Sequence, residues 1–190
     1  AIQNATAWVD RADKAFPNRE STLDTRIQLH LLQRDTPAII ALMRQATTAG
    51  SSVSPPPVER WMGIFASLYS RSTMNEAIAF GKALESVYPD SHKVHGSLGG
   101  AYGLASRDDE AQRHLEKAVA LAPNDPIHRW NLARLFEYIG QFAPAQKHFE
   151  QAIADTVDPQ MKAEMTCTFS TFVKDKLKDE ARARLLAKSC

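Results

Sequence analysis

A chain of 190 residues, 44% hydrophobic and 24% charged, has the proportions of a folded globular protein, and its 28 alanines favour helix. Its 8 glycines and 10 prolines are too few for a collagen-like or linker-type chain. The 23 basic and 22 acidic side chains nearly cancel, which argues against nucleic acid or an anionic membrane as partner, and no apolar run approaches the roughly 20 residues that a membrane-spanning helix requires.

The first element is a helix over residues 4–16, where Ala5, Trp8, Val9, Ala12 and Phe16 line one face before Pro17 closes it. It has no partner helix ahead of it. Helix pairs follow at 22–34 and 37–49, 58–71 and 74–87, 92–105 and 108–121, 126–139 and 142–155, and 162–174 and 178–188. Between the first and second pairs, Gly50 to Pro57 reads GSSVSPPP, a lengthened loop inside one solenoid spanning residues 1–190. Start signals mark several helices. Asp125 and Asp158 each stand before a proline tolerated in the first turn, while Thr73 with Glu76 and Ser106 with Asp109 have capping-box spacing. Gly140 reads as the turn within its pair.

The pairs recur with a period of 34 residues. Ala77, Ala111 and Ala145 keep this step, as do Ile64, Leu98 and Leu132, then Leu68, Tyr102 and Phe136, and finally Pro89 and Pro123. Several independent series sharing one step define a repeat.

This pattern resembles the tetratricopeptide repeat, a helix–turn–helix unit of the same length. The matches are Leu98, Gly99, Tyr102, Ala111, Ala118 and Pro123 in residues 92–125. In residues 126–159 they are Asn131, Leu132, Ala133, Phe136, Gly140, Ala145, Phe149 and Ala152. Residues 58–91 match at Trp61, Ala77 and Pro89, whereas Gly81 and Leu84 depart from the expected types and predict a one-residue slip in that second helix. The flanking units, 1–57 and 160–190, match by helix pattern only. The resemblance implies an all-α, right-handed solenoid whose groove, lined by the first helix of each pair, binds a peptide or partner protein.

Gly96, Gly100 and Gly103 form one helical stripe, which the resemblance places on the groove side as a floor without side chains. Gly99 is the family's close-packing position. Trp130, Arg134 and Tyr138 recur every four residues, an interface-like combination on a face that the inward apolar set of the same helix does not use. Met62, Ala66 and Tyr69 take the corresponding positions on the other side. The expected site is therefore a groove of Met62, Tyr69, Lys93, Gly96, Gly100, Gly103, Trp130, Arg134 and Tyr138, with Arg134 and Lys93 offering positive charge to an acidic segment. The clamp by which some members hold chaperone tails is not expected, because Gly96 and Gly100 stand where its Lys and Asn would be.

Catalytic signatures are missing. The run His95-Gly96-Ser97-Leu98-Gly99-Gly100 lacks the first glycine of a nucleophile elbow, the Gly-Lys-Ser/Thr of a phosphate loop and any preceding strand. His92 and His95 have metal-compatible spacing, yet no Cys, Asp or Glu joins them locally, so no metal or cofactor is expected. His114 and His148 are one repeat apart, on second helices that usually face outward. Cys167 and Cys190 make neither a disulfide framework nor a zinc pair and read as reduced thiols, which, with no leader sequence in view, favours a cytoplasmic setting. The expected function is a non-enzymatic interaction scaffold for a protein or peptide, without nucleic acid and without membrane insertion. Two alternatives stand beside it: an accessory region of a larger enzyme such as a glycosyltransferase or sulfotransferase, and a module that self-associates through its unpaired N-terminal helix.

Overall fold

The three-and-four spacing of apolar residues folds as helix throughout, and there is no strand among the described residues. In this computed structural model, residues 7–8, 11–12, 14–15, 20–48, 58–71 and 74–189 are described. Ten helices follow one another: α1 Glu20–Gln33, α2 Thr36–Thr48, α3 Val58–Arg71, α4 Met74–Val87, α5 His92–Leu104, α6 Asp108–Leu121, α7 Pro126–Tyr138, α8 Phe142–Asp155, α9 Pro159–Asp175 and α10 Glu180–Ala187. Ahead of them, Ala7, Trp8, Arg11, Ala12, Lys14 and Ala15 are helical. The rest of the expected 4–16 helix, the 50–57 loop and the Thr73 end of one expected capping box lie outside the described residues.

The chain divides into two compact units, Ala1–Pro89 and Asp90–Cys190, with the break just after a repeat-closing proline. In the first, α1 packs on α2, α3 on α4, and α2 on α4. Their shared core includes Ile27, Ile39, Met43, Trp61, Leu68, Phe80 and Leu84, all fully buried. A 2.6 Å hydrogen bond from Arg60 to the Asp24 carboxylate ties α3 to α1. In the second unit, α5 packs on α6, α7 on α8 and α9 on α10, and neighbouring pairs meet through α6 with α7, α8 with α9, and α5 with α7. Small and large residues alternate across these contacts, as close-packed helices require. Ala111, Ala118, Ala145 and Ala152 are fully buried beside Leu98, Leu132 and Phe149, and Phe149 stacks with Phe169 and Phe172. Burying one such ring contributes about 1.5–3 kcal/mol.

Helix starts keep the period: Val58, His92 and Pro126 begin first helices, and Met74, Asp108 and Phe142 begin second helices, each 34 residues after the last. The slip expected in α4 is therefore absent. Gly81 and Leu84 instead invert the large–small order held by Leu115 and Ala118 in α6, and all four are buried.

Capping fixes the boundaries. Asp125 accepts from the Ile127 N–H at 2.9 Å, and Asp158 accepts from the Met161 N–H at 2.7 Å, so α9 begins at Pro159, three residues ahead of the expected start. Ser91 caps α5 by accepting from the Val94 N–H. The Ser106–Asp109 box does not form: Ser106 adopts φ 55° and Arg107 becomes the residue before α6, with no side-chain cap. The turn within each described pair carries one left-handed residue, Arg34, Ser106, Gly140 or Lys178. In three of them the next N–H reaches back five residues, Asp35 to His30, Arg107 to Tyr102 and Gln141 to Phe136, closing the helix end in the same way each time. No described helix is long and apolar enough to cross a membrane.

Candidate functional site

In the second unit, α7 and α9 are the first helices of adjacent pairs, and a cleft of about 400 Å³ opens between them. Arg134 and Glu137 of α7 line one side, while Cys167, Thr168, Thr171, Phe172 and Asp175 of α9 and Lys176 just beyond it line the other. Phe172 is almost fully buried and forms an apolar floor among Phe142, Phe149 and Phe169. The rim is polar and balanced, with Arg134 and Lys176 against Glu137 and Asp175. The Arg134 guanidinium lies 3.8 Å from the Glu137 carboxylate and is exposed, so this pair is weak and open to exchange with a ligand's charges. Cys167 is disulfide-bonded, where the sequence suggested a reduced thiol. A single pair of cysteines builds no framework, but it suffices for one bond.

Of the residues expected in the groove, Arg134 alone lines this cleft. Tyr138 is 68% exposed at the end of α7, and Trp130 is half-buried with its ring edge-on to Phe149 at 4.7 Å, so much of its surface packs within its own pair. Lys93 is exposed on α5, Gly100 and Gly103 are half-buried, and Gly96 is buried beneath the His128 ring. Met62 and Tyr69 belong to the first unit, both half-buried on α3. Tyr69 stands edge-on to Phe65 at 6.2 Å, and burial pushes its phenol above the usual value. The period could have pointed to the second wall of the cleft: Arg134, Glu137 and Tyr138 advance by 34 residues to Thr168, Thr171 and Phe172.

A second constellation joins the starts of α5 and α7. His92 Nδ1 lies 2.8 Å from His128 Nε2, and one Asp125 oxygen sits 3.8 Å from the first and 3.4 Å from the second. The expected His92–His95 pairing does not occur. His95 instead meets His114 at 3.1 Å, and His114 stacks on Tyr102. One repeat later, His148 stacks on Phe136 in the same manner. These second-helix histidines are half-buried against the first helix, rather than turned fully outward. Burial holds His128 below the usual histidine range, helped by His92 and opposed by Asp125. Burial likewise lowers His148, helped by Arg129 and Lys147 and opposed by Glu116.

Repeated helix pairs in fixed register, closed by matching turns, define a helical repeat protein of the tetratricopeptide type. Solved structures show the same fold at low sequence identity. MamA superposes with a TM-score of 0.63 at 18% identity, over 84% of this chain and 89% of that one. PilW, a widely conserved type IV pilus biogenesis factor, gives 0.61 at 19% identity over 97% and 82% of the two chains. TTC0263, a thermophilic TPR protein of Thermus thermophilus, gives 0.53 at 20% identity over 86% and 88%. No family model matches the chain, and no curated protein matches it.

Proposed function

We propose that this chain is a non-enzymatic interaction module that scaffolds a complex by holding a partner segment between α7 and α9. The observation that carries the reading is the cleft itself, a concavity of about 400 Å³ between first helices of successive repeats, with a buried aromatic floor and a charged rim. A floor of that kind receives one or two apolar side chains of an extended segment, and the rim hydrogen-bonds the flanking backbone. Arg134 and Lys176 suit an acidic group on the partner. Glu137 and Asp175 call for a neighbouring cation, so a segment carrying both signs fits better than a purely acidic one. The similarity to a pilus biogenesis factor accords with a part in assembly.

The test is affinity capture by the whole chain, followed by mass spectrometry, with wild type and the double variant Arg134→Glu/Lys176→Glu. Both side chains are exposed, so the fold is retained. Partners held in the cleft should be depleted roughly tenfold or more in the variant, as expected for loss of about 1.4 kcal/mol or more. An identical partner set for both proteins would sink the proposal.

A further inference from the structure

We propose that His92, Asp125 and His128 form a binding site for a divalent transition-metal ion, with zinc as the ion that best suits the donors. Two imidazole nitrogens and one carboxylate oxygen are a donor set that zinc accepts readily and that calcium or magnesium, which prefer oxygen alone, do not. The spacing fits as well. Tetrahedral zinc with bonds of about 2.0–2.1 Å sets its ligand atoms about 3.3 Å apart. The three observed separations, 2.8, 3.4 and 3.8 Å, bracket that value, so small side-chain adjustments would regularise the triangle.

The donors are held in place by the fold. Asp125 is anchored because one of its oxygens caps α7 through the Ile127 N–H, which leaves the other to face the histidines. The His128 side chain is 8% exposed, and it occupies the space over Gly96 where any other residue would place a Cβ. His92 is the first residue of α5, so the ion would join the starts of two first helices that already pack together. Without an ion, three lone-pair carriers converge on one point, and a single N–H shared between the rings can satisfy only part of that crowd. A cation at the centre satisfies all three.

The fourth coordination position faces outward. The side chains of His92 and Asp125 are 34% and 30% exposed, so water reaches the site. Three protein ligands and one exchangeable position follow. Nδ1 of His128 is buried with no hydrogen-bond partner, so the site lacks the outer hydrogen bond that commonly strengthens a ligating imidazole. Affinity about 10–100-fold below that of a fully supported site is expected.

The experiment uses the whole chain, stripped with a chelator and titrated with Co²⁺ by visible absorption and with Zn²⁺ by calorimetry, beside Asp125→Asn and His92→Gln. Asparagine caps a helix as well as aspartate, so the first variant keeps α7 while losing the charged ligand. Circular dichroism checks both folds. The expected result is one equivalent of Co²⁺ with the bands of a four-coordinate ion, displaced by Zn²⁺, with affinity reduced roughly tenfold or more in each variant. A zinc-dependent rise in melting temperature should appear in wild type alone. Absence of that equivalent in wild type would overturn the proposal, and so would zinc affinity within twofold of wild type in both variants.

Discussion

The imidazole of His128 lies directly over Gly96, where a Cβ would stand 2.6 Å from both Nδ1 and Cε1 of the ring. The glycine makes room for a histidine from the next repeat, which fills the position that the sequence suggests as an open floor. Gly96→Ala gains about 1 kcal/mol in helix propensity and meets overpacking strain of about 1–3 kcal/mol, so the net effect in the wild-type background is neutral to destabilising. In a His128→Ala background the clash is gone, and the same substitution should stabilise by about 1 kcal/mol. Urea melts of the four proteins measure the coupling. Additivity across the cycle would show that the two residues do not oppose each other.

Two further glycines of α5 should respond in opposite directions. A Cβ at Gly99 would stand 2.5 Å from Cγ of Leu115 and 3.2 Å from the Ala111 carbonyl oxygen, whereas at Gly103 its nearest contact is the Ala111 Cβ at an ordinary 3.9 Å. Gly99→Ala is expected to destabilise by about 1–2 kcal/mol, since neither a branched core carbon nor a backbone oxygen moves aside cheaply. Gly103→Ala is expected to stabilise by about 0.5–1 kcal/mol through helix propensity alone. Thermal melts that rank Gly99→Ala above Gly103→Ala would contradict this packing.

Much of the fold is legible because its signals are local and repeated. Apolar spacing marks all ten helices, and Asp125, Asp158 and Gly140 act at their ends as their chemistry predicts. The departures have equally local causes. Ser106 has the composition of a cap but is needed one residue earlier, in the left-handed turn, and the inverted Gly81–Leu84 order looks like a slip only while volumes cannot be seen. The sites are harder to read, because each joins residues from different repeats. His92 and His128 are 36 residues apart, two off the period, so nothing in the repeat pairs them. The far wall of the cleft lies in a unit whose motif residues have faded, although the period still leads from Arg134 to Thr168.

The turns within the pairs give a prediction about stability. Ser106 at φ 55° and Lys178 at φ 59° occupy the same left-handed role that Gly140 fills at φ 78°. A side chain costs about 1–2 kcal/mol in that region, and replacing it with glycine returns some of this against the greater freedom of the unfolded chain. Ser106→Gly and Lys178→Gly should each stabilise by about 0.5–1 kcal/mol, read as an upward shift of the urea midpoint. A fall in both midpoints would mean that these side chains have contacts outweighing the backbone strain.

Stability should also depend on pH through the two buried imidazoles. His128 and His148 both have folded-state pKa values lowered chiefly by burial, so each binds a proton more readily in the unfolded chain than in the folded one. Where the unfolded state binds more protons, stability rises with pH. The contribution is therefore complete above the unfolded value of about 6.5 and declines as pH falls from there toward the folded values. Melting temperature in chelator-containing buffer should drop between about pH 7.5 and pH 5.5. His148→Gln should flatten the part of that slope due to His148, which stacks on Phe136 half-buried from solvent. Imidazole proton shifts followed by NMR give the two titrations directly. If both midpoints lay above about 6.5, the sign would reverse and stability would increase on acidification.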